Sequence, residues 1–206
     1  MKRLALGLSV SLLVLCSGAA HAAIITYSST LNGANEAPPN GSPATGQTTV
    51  LIDDVAGTMT VNASFSNLTA PTTASHIHCC TLVPFAGTAG VATSLPTFPA
   101  FPLGVTTGSY TETFDLMNLA TYNPNFVANN GGSVDSARLA FLAGLASGRA
   151  YLNIHTSAFP PGEIRGFLTE VPEPGSIALF GLGAAGLAAL RSRTKRESQR
   201  SRTCRA

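Results

Sequence analysis

Gln47-Thr48-Thr49-Val50-Leu51-Ile52 and Thr58-Met59-Thr60-Val61-Asn62-Ala63-Ser64-Phe65 flank Asp53-Asp54-Val55-Ala56-Gly57. Two runs rich in β-branched residues, joined by a short loop of turn-forming residues, predict a β-hairpin. Similar runs lie on either side. Ile24 to Leu31, Ser75 to Thr81 and Gly108 to Leu116 are further candidate strands, as are Arg149 to His155 and Glu163 to Thr169, the last two joined by a Pro-Pro-Gly loop. One stretch breaks the pattern. Ser133 to Gly148 predicts a helix, with Ser133 as N-cap, Asp135 in the first turn and Gly148 as terminator. Val134, Ala137, Phe141, Leu142 and Leu145 fall near one face of it. A short helical turn is expected around Pro124 to Ala128, and Pro84 to Pro102, with four prolines, reads as an irregular excursion. The expected fold class is mainly β: an antiparallel β-sandwich or barrel, with one α-helix before the C-terminal hairpin.

The ends differ from the middle. Met1-Lys2-Arg3 is basic, Leu4 to Leu15 is apolar, and Ala20-His21-Ala22 is an A-x-A cleavage site. This predicts a signal peptide over 1–22. At the other end, Val171-Pro172-Glu173-Pro174-Gly175-Ser176 precedes an uncharged apolar run from Ile177 to Leu190. Basic residues then crowd 191–206. The run would reach about 21 Å as a helix, short for a ~30 Å bilayer core, yet it can lodge there if its flanks snorkel. The tail at 171–206 is therefore expected to hold a transmembrane helix with its basic end in the cytoplasm. The order of these parts resembles the PEP-CTERM sorting signal of Gram-negative bacteria. That resemblance implies Val171-Pro172-Glu173-Pro174 as the sorting motif, exosortase as the processing partner, and transient anchoring in the inner membrane. The chain would be exported across that membrane and end at the cell surface or outside the cell.

Between Ala23 and Val171 lie three basic residues (Arg138, Arg149, Arg165) against eight acidic ones, a net charge of about −5. A domain spanning 23–170 would repel nucleic acid. The overall charge of +2 belongs to the ends.

Strand alternation places His76 and His78 on one face, with Ile77 on the other. It also sets Asn153 and His155 opposite Leu152 and Ile154, and Glu163 and Arg165 opposite Ile164 and Leu168. Three strands thus project polar side chains away from their apolar ones. His-x-His on a strand plus a third histidine is a workable nitrogen set for zinc or copper. The competing reading is a polar cluster, in which the imidazoles hydrogen-bond Asn153, Glu163 or Arg165. Cys79 and Cys80 admit a vicinal disulfide, an intermolecular bridge, thiolates added to a metal site, or free thiols. No nucleophile elbow, phosphate loop or paired-carboxylate motif occurs, so no catalytic residue is assigned.

Leu31-Asn32-Gly33-Ala34-Asn35-Glu36-Ala37-Pro38-Pro39, Ser75-His76-Ile77-His78, Ala150-Tyr151-Leu152-Asn153-Ile154-His155-Thr156 and Gly162-Glu163-Ile164-Arg165-Gly166-Phe167-Leu168 together resemble the CHRD (chordin-type) domain, in order and spacing, over Ile25 to Leu168. The family usually carries Gly-Pro where Cys79-Cys80 stands, and Gln where Phe167 stands. The resemblance implies an extracellular module. The resulting expectation is a non-enzymatic surface or matrix protein that binds exopolysaccharide or another surface protein. The alternative is a zinc- or copper-binding protein or redox enzyme built on His76, His78 and His155.

Overall fold

The computed structural model describes residues 24–172, together with Gly183 and Gly186. The signal peptide at 1–22, Glu173 and Pro174 of the sorting motif, and the proposed transmembrane run lie outside the described residues. No helix among the described residues is long and apolar enough to cross a membrane.

Among the described residues, eight antiparallel strands form one continuous sheet. They are β1 (Ile24–Asn32), β2 (Thr45–Asp53), β3 (Thr58–Ser66), β4 (Thr72–Cys79), β5 (Gly108–Asp115), β6 (Ala150–Thr156), β7 (Ile164–Phe167) and β8 (Thr169–Glu170). Their order is β4-β6-β7-β1-β2-β3-β5, with β8 also on β1. The β2–β3 hairpin pairs in unbroken register from Thr45↔Ser66 to Asp53↔Thr58. Its loop is set by Asp53, whose Oδ1 accepts from the backbone N–H groups of Val55 and Ala56 at 3.1 and 2.8 Å.

The expected sandwich or barrel is corrected to a curled half-barrel. Alternation fixes which face of a strand is buried, but not how many sheets the strands make. Among the described residues no second sheet covers the inner face. Val50, Ile52, Met59, Val61, Phe65, Tyr110 and Phe114 point into the core. The proline-rich excursion covers part of it: Phe98 packs on Tyr110 and Phe114 with centroids at 5.7 and 5.4 Å, and Phe101 packs on Phe65 at 5.7 Å. Helices α1 (Pro124–Asn129) and α2 (Val134–Ala146) cover more, with Phe141 of α2 set against Tyr122. Fully burying one such side chain contributes about 1.5–3 kcal/mol.

Helix α2 starts where the sequence places it. Ser133 Oγ accepts from the Ser136 N–H, and Ser136 Oγ accepts from the Ser133 N–H, both at 3.2 Å, giving a reciprocal capping box. Ser133→Ala removes this cap and should lower stability by about 1 kcal/mol in chemical denaturation; no change would mean that tertiary packing alone fixes the helix start. Past β8, Val171 and Pro172 are exposed, and the Val171 N–H donates to the Thr26 carbonyl at 2.8 Å. The motif expected at Val171 to Pro174 would therefore begin where the chain leaves its pairing with β1.

Candidate metal centre

Three strands at one end of the sheet build the centre. β4 and β6 pair His76↔Asn153, Ile77↔Leu152 and His78↔Tyr151. β6 and β7 pair Asn153↔Arg165 and Tyr151↔Phe167. Directly opposed residues share a face, so His76, His78, Tyr151, Asn153, His155 and Arg165 project together. Ile77, Leu152, Ile154 and Ile164 project into the core with no exposed surface. The polar face is itself buried: His76, His78 and His155 are 5, 8 and 9% exposed.

The three imidazoles converge. Ring centroids are 5.3 Å apart for His76–His155, 5.8 Å for His78–His155 and 5.9 Å for His76–His78. Each ring gives one nitrogen to a backbone carbonyl. His76 Nε2 lies 2.6 Å from Pro96 O, His78 Nδ1 2.9 Å from Ala89 O, and His155 Nδ1 2.9 Å from Pro160 O. A carbonyl only accepts, so each of these nitrogens carries the proton. The remaining nitrogens, His76 Nδ1, His78 Nε2 and His155 Nε2, are buried without a hydrogen-bond partner among the described residues. Burial lowers the pKa of His76 and His78 to about 4 and that of His155 below its usual range, while the carbonyl contacts pull the other way. At neutral pH the rings are uncharged and each keeps a free lone pair. One nitrogen from each histidine falls within 4.8 Å of the others.

The charged groups nearby follow a different pairing from the one alternation suggests. Arg165 Nε lies 3.8 Å from Glu36 Oε2 and donates to Asn35 O. Its guanidinium sits 4.6 Å over the Tyr151 ring, which stacks on His78 at 4.8 Å.

A comparison with protein families aligns residues 27–168 with the CHRD domain and residues 170–193 with the PEP-CTERM protein-sorting motif. The chain belongs to the CHRD-domain family. Its sorting motif implies export, membrane-anchored transit and processing by exosortase. No curated protein and no solved structure gave a significant match.

Within this CHRD domain three of the expected site residues lie elsewhere. Glu163 does not join Arg165 or the histidines. β7 begins only at Ile164, so alternation does not govern Glu163, and its carboxylate turns to Ser42, Thr69 and Thr156. Cys79 and Cys80 contribute no thiolate to the cluster. Cys79 alternates with His78 and so lies on the core face. The two sulfurs sit within bonding distance of each other, against Gly144 of α2, where a Cβ would come within 2.2 and 2.4 Å of them. The imidazoles also do not bond Asn153, Glu163 or Arg165; their partners are loop carbonyls.

Two CHRD-domain residues were missed from sequence. Tyr151 could have been found, because it stands two positions from Asn153 and so shares its face. Glu36 arrives from the Leu31–Pro39 segment, and only the fold brings it to Arg165. Burial raises the Glu36 pKa to about 7, with Arg165 pulling it back. A carboxyl with a raised folded-state pKa favours folding most below its ordinary 4.5, and that contribution fades as pH rises towards 7. Glu36→Gln should therefore flatten the decline in stability across this window, measured by thermal unfolding at several pH values; an unchanged pH profile would contradict the assignment.

Proposed function

We propose that this exported domain is a metal-binding surface module in which His76, His78 and His155 hold one zinc or copper ion. The observation that carries the reading is the set of three buried ring nitrogens without a partner among the described residues, each on an imidazole whose other nitrogen is fixed by a backbone carbonyl. That is the arrangement by which proteins fix the tautomer and orientation of metal-bound histidines. A polar cluster built for stability alone would use these nitrogens, since an unmet buried acceptor costs about 1–3 kcal/mol. Bonds of about 2.1 Å in tetrahedral geometry require nitrogens roughly 3.4 Å apart, so the rings would close by about an ångström on binding. Three neutral nitrogens without thiolate or carboxylate suit copper(II) or zinc and leave a coordination position open.

The wider setting belongs to the same reading. A signal peptide ending at Ala22 would start export. Exosortase acting at Val171-Pro172-Glu173-Pro174 would free the 23–170 domain from a membrane-held tail, and the domain would then act at the surface on exopolysaccharide or a partner protein. Thermal unfolding tests the metal reading: zinc or copper at a hundred times Kd should add about 2.7 kcal/mol of stability. Calcium and magnesium, which prefer oxygen ligands, should add none. Equal responses to all four ions, or to none, would count against it.

A further inference from the structure

Beside the histidines a cleft of about 400 Å³ opens between Glu36–Asn40, Thr88–Ala89 and the Phe159–Gly162 loop, with His78, Tyr151, Asn153 and Arg165 also in its lining. That volume falls within the range typical of small-molecule sites, about 300–1,000 Å³. Two acceptors in the lining, Glu36 Oε1 and Asn153 Oδ1, on residues 8 and 2% exposed, are buried without a hydrogen-bond partner among the described residues. Gly162 keeps them beside the loop backbone. A Cβ there would come within 2.6 Å of Asn153 Oδ1 and 2.8 Å of Glu36 Oε1, and φ is +141°. Arg165 also lines the cleft, and its charge offsets that of Glu36 once the carboxyl ionises, above about pH 7. Tyr151, Phe159 and Pro161 add apolar wall.

We infer that this cleft binds a neutral, hydroxyl-rich ligand of the sugar class, whose hydroxyls donate to Glu36 Oε1 and Asn153 Oδ1 and accept from Arg165. A hydroxyl both donates and accepts, which this mixed lining needs. An ammonium group would only donate and would face Arg165. A carboxylate would only accept and would face the two orphaned acceptors. The apolar wall suits the C–H face of a sugar ring. The cleft shares His78 with the metal centre, but its recognition groups do not require an ion, so this inference stands apart from the metal reading.

The test is calorimetric titration of the purified protein with glucose, N-acetylglucosamine and their short neutral oligomers, with putrescine and succinate as cationic and anionic controls. Saturable binding of at least one saccharide is expected. It should weaken at least tenfold in Glu36→Gln and in Thr88→Tyr, the latter adding bulk at an exposed rim position where the fold is not at stake. Both variants should keep the metal affinity of the parent, whereas His155→Gln should lose metal and keep saccharide binding. The inference is overturned if putrescine or succinate binds in place of the sugars, if neither cleft variant weakens saccharide binding, or if none of the saccharides binds.

Discussion

Replacing His155 with glutamine is expected to remove stoichiometric zinc or copper binding, with a loss of at least about two orders of magnitude in affinity. Loss of an outer-shell partner alone typically costs 10–100-fold, and here a direct ligand disappears. His155 is the informative position because it comes from β6, whereas His76 and His78 share β4. The remaining pair cannot enclose an ion from two strands. Stability of the metal-free protein should change far less, because the substitution deletes one carbonyl contact and one unmet acceptor together. Titration calorimetry with each ion, read beside unfolding of the metal-free variant, separates the cases. A variant that binds metal as tightly as the parent, or one whose only change is a large loss of metal-free stability, would favour a structural cluster.

Glu163→Ala should be the more damaging change to the fold. Glu163 has no exposed surface. Its Oε1 accepts from Ser42 Oγ at 2.6 Å and from the Thr69 backbone N–H and Oγ1 at 2.7 and 3.0 Å, while Oε2 accepts from Thr156 Oγ1 at 2.6 Å. One carboxylate thus ties the β1–β2 connection, the β3–β4 connection and the end of β6. Truncation strands several buried donors, and a loss of about 3–5 kcal/mol follows from charge-assisted bonds at 1.5–3 kcal/mol each, partly recovered by relaxation. For a domain of this size that corresponds to roughly 10 °C in Tm. The acid limb carries a second signature. Burial works to raise the Glu163 pKa, but the bonds from Ser42, Thr156 and Thr69 outweigh it and the net shift is downward. The contribution is therefore full above the ordinary 4.5 and fades as pH falls through the lower folded-state value. The parent should lose stability in that acid window and the variant should not. A shift below about 1 kcal/mol would show that the network is dispensable.

Much of the fold could be read from local pattern. The β2–β3 hairpin, the α2 start at Ser133 and the strand positions came from residue spacing and turn chemistry, which act over a few residues. The single curled sheet could not be read this way. It depends on β7 pairing with β1 and on the proline-rich excursion supplying Phe98 and Phe101 to the core, and both link residues far apart in sequence. The histidine set was legible for the same reason as the hairpin: alternation alone puts His76, His78 and His155 on matching faces once β4 and β6 pair. The tautomer-fixing carbonyls of Pro96, Ala89 and Pro160 were not legible, because they are backbone atoms on loops with no side-chain signal. Glu163 misled because alternation was carried one residue past the start of its strand. Glu36 carries no local signal of its partner, because only the packing of the Gly33–Asn35 turn against β7 brings it to Arg165.

The three orphaned nitrogens of His76, His78 and His155 are expected to hold an ion. Elemental analysis of the exported protein, stripped with chelator and then dialysed against zinc or copper, tests it most directly. The expected result is one ion per chain, absent when His76, His78 and His155 are replaced together. An ion content near zero in the parent, or one unchanged in the triple variant, would contradict it.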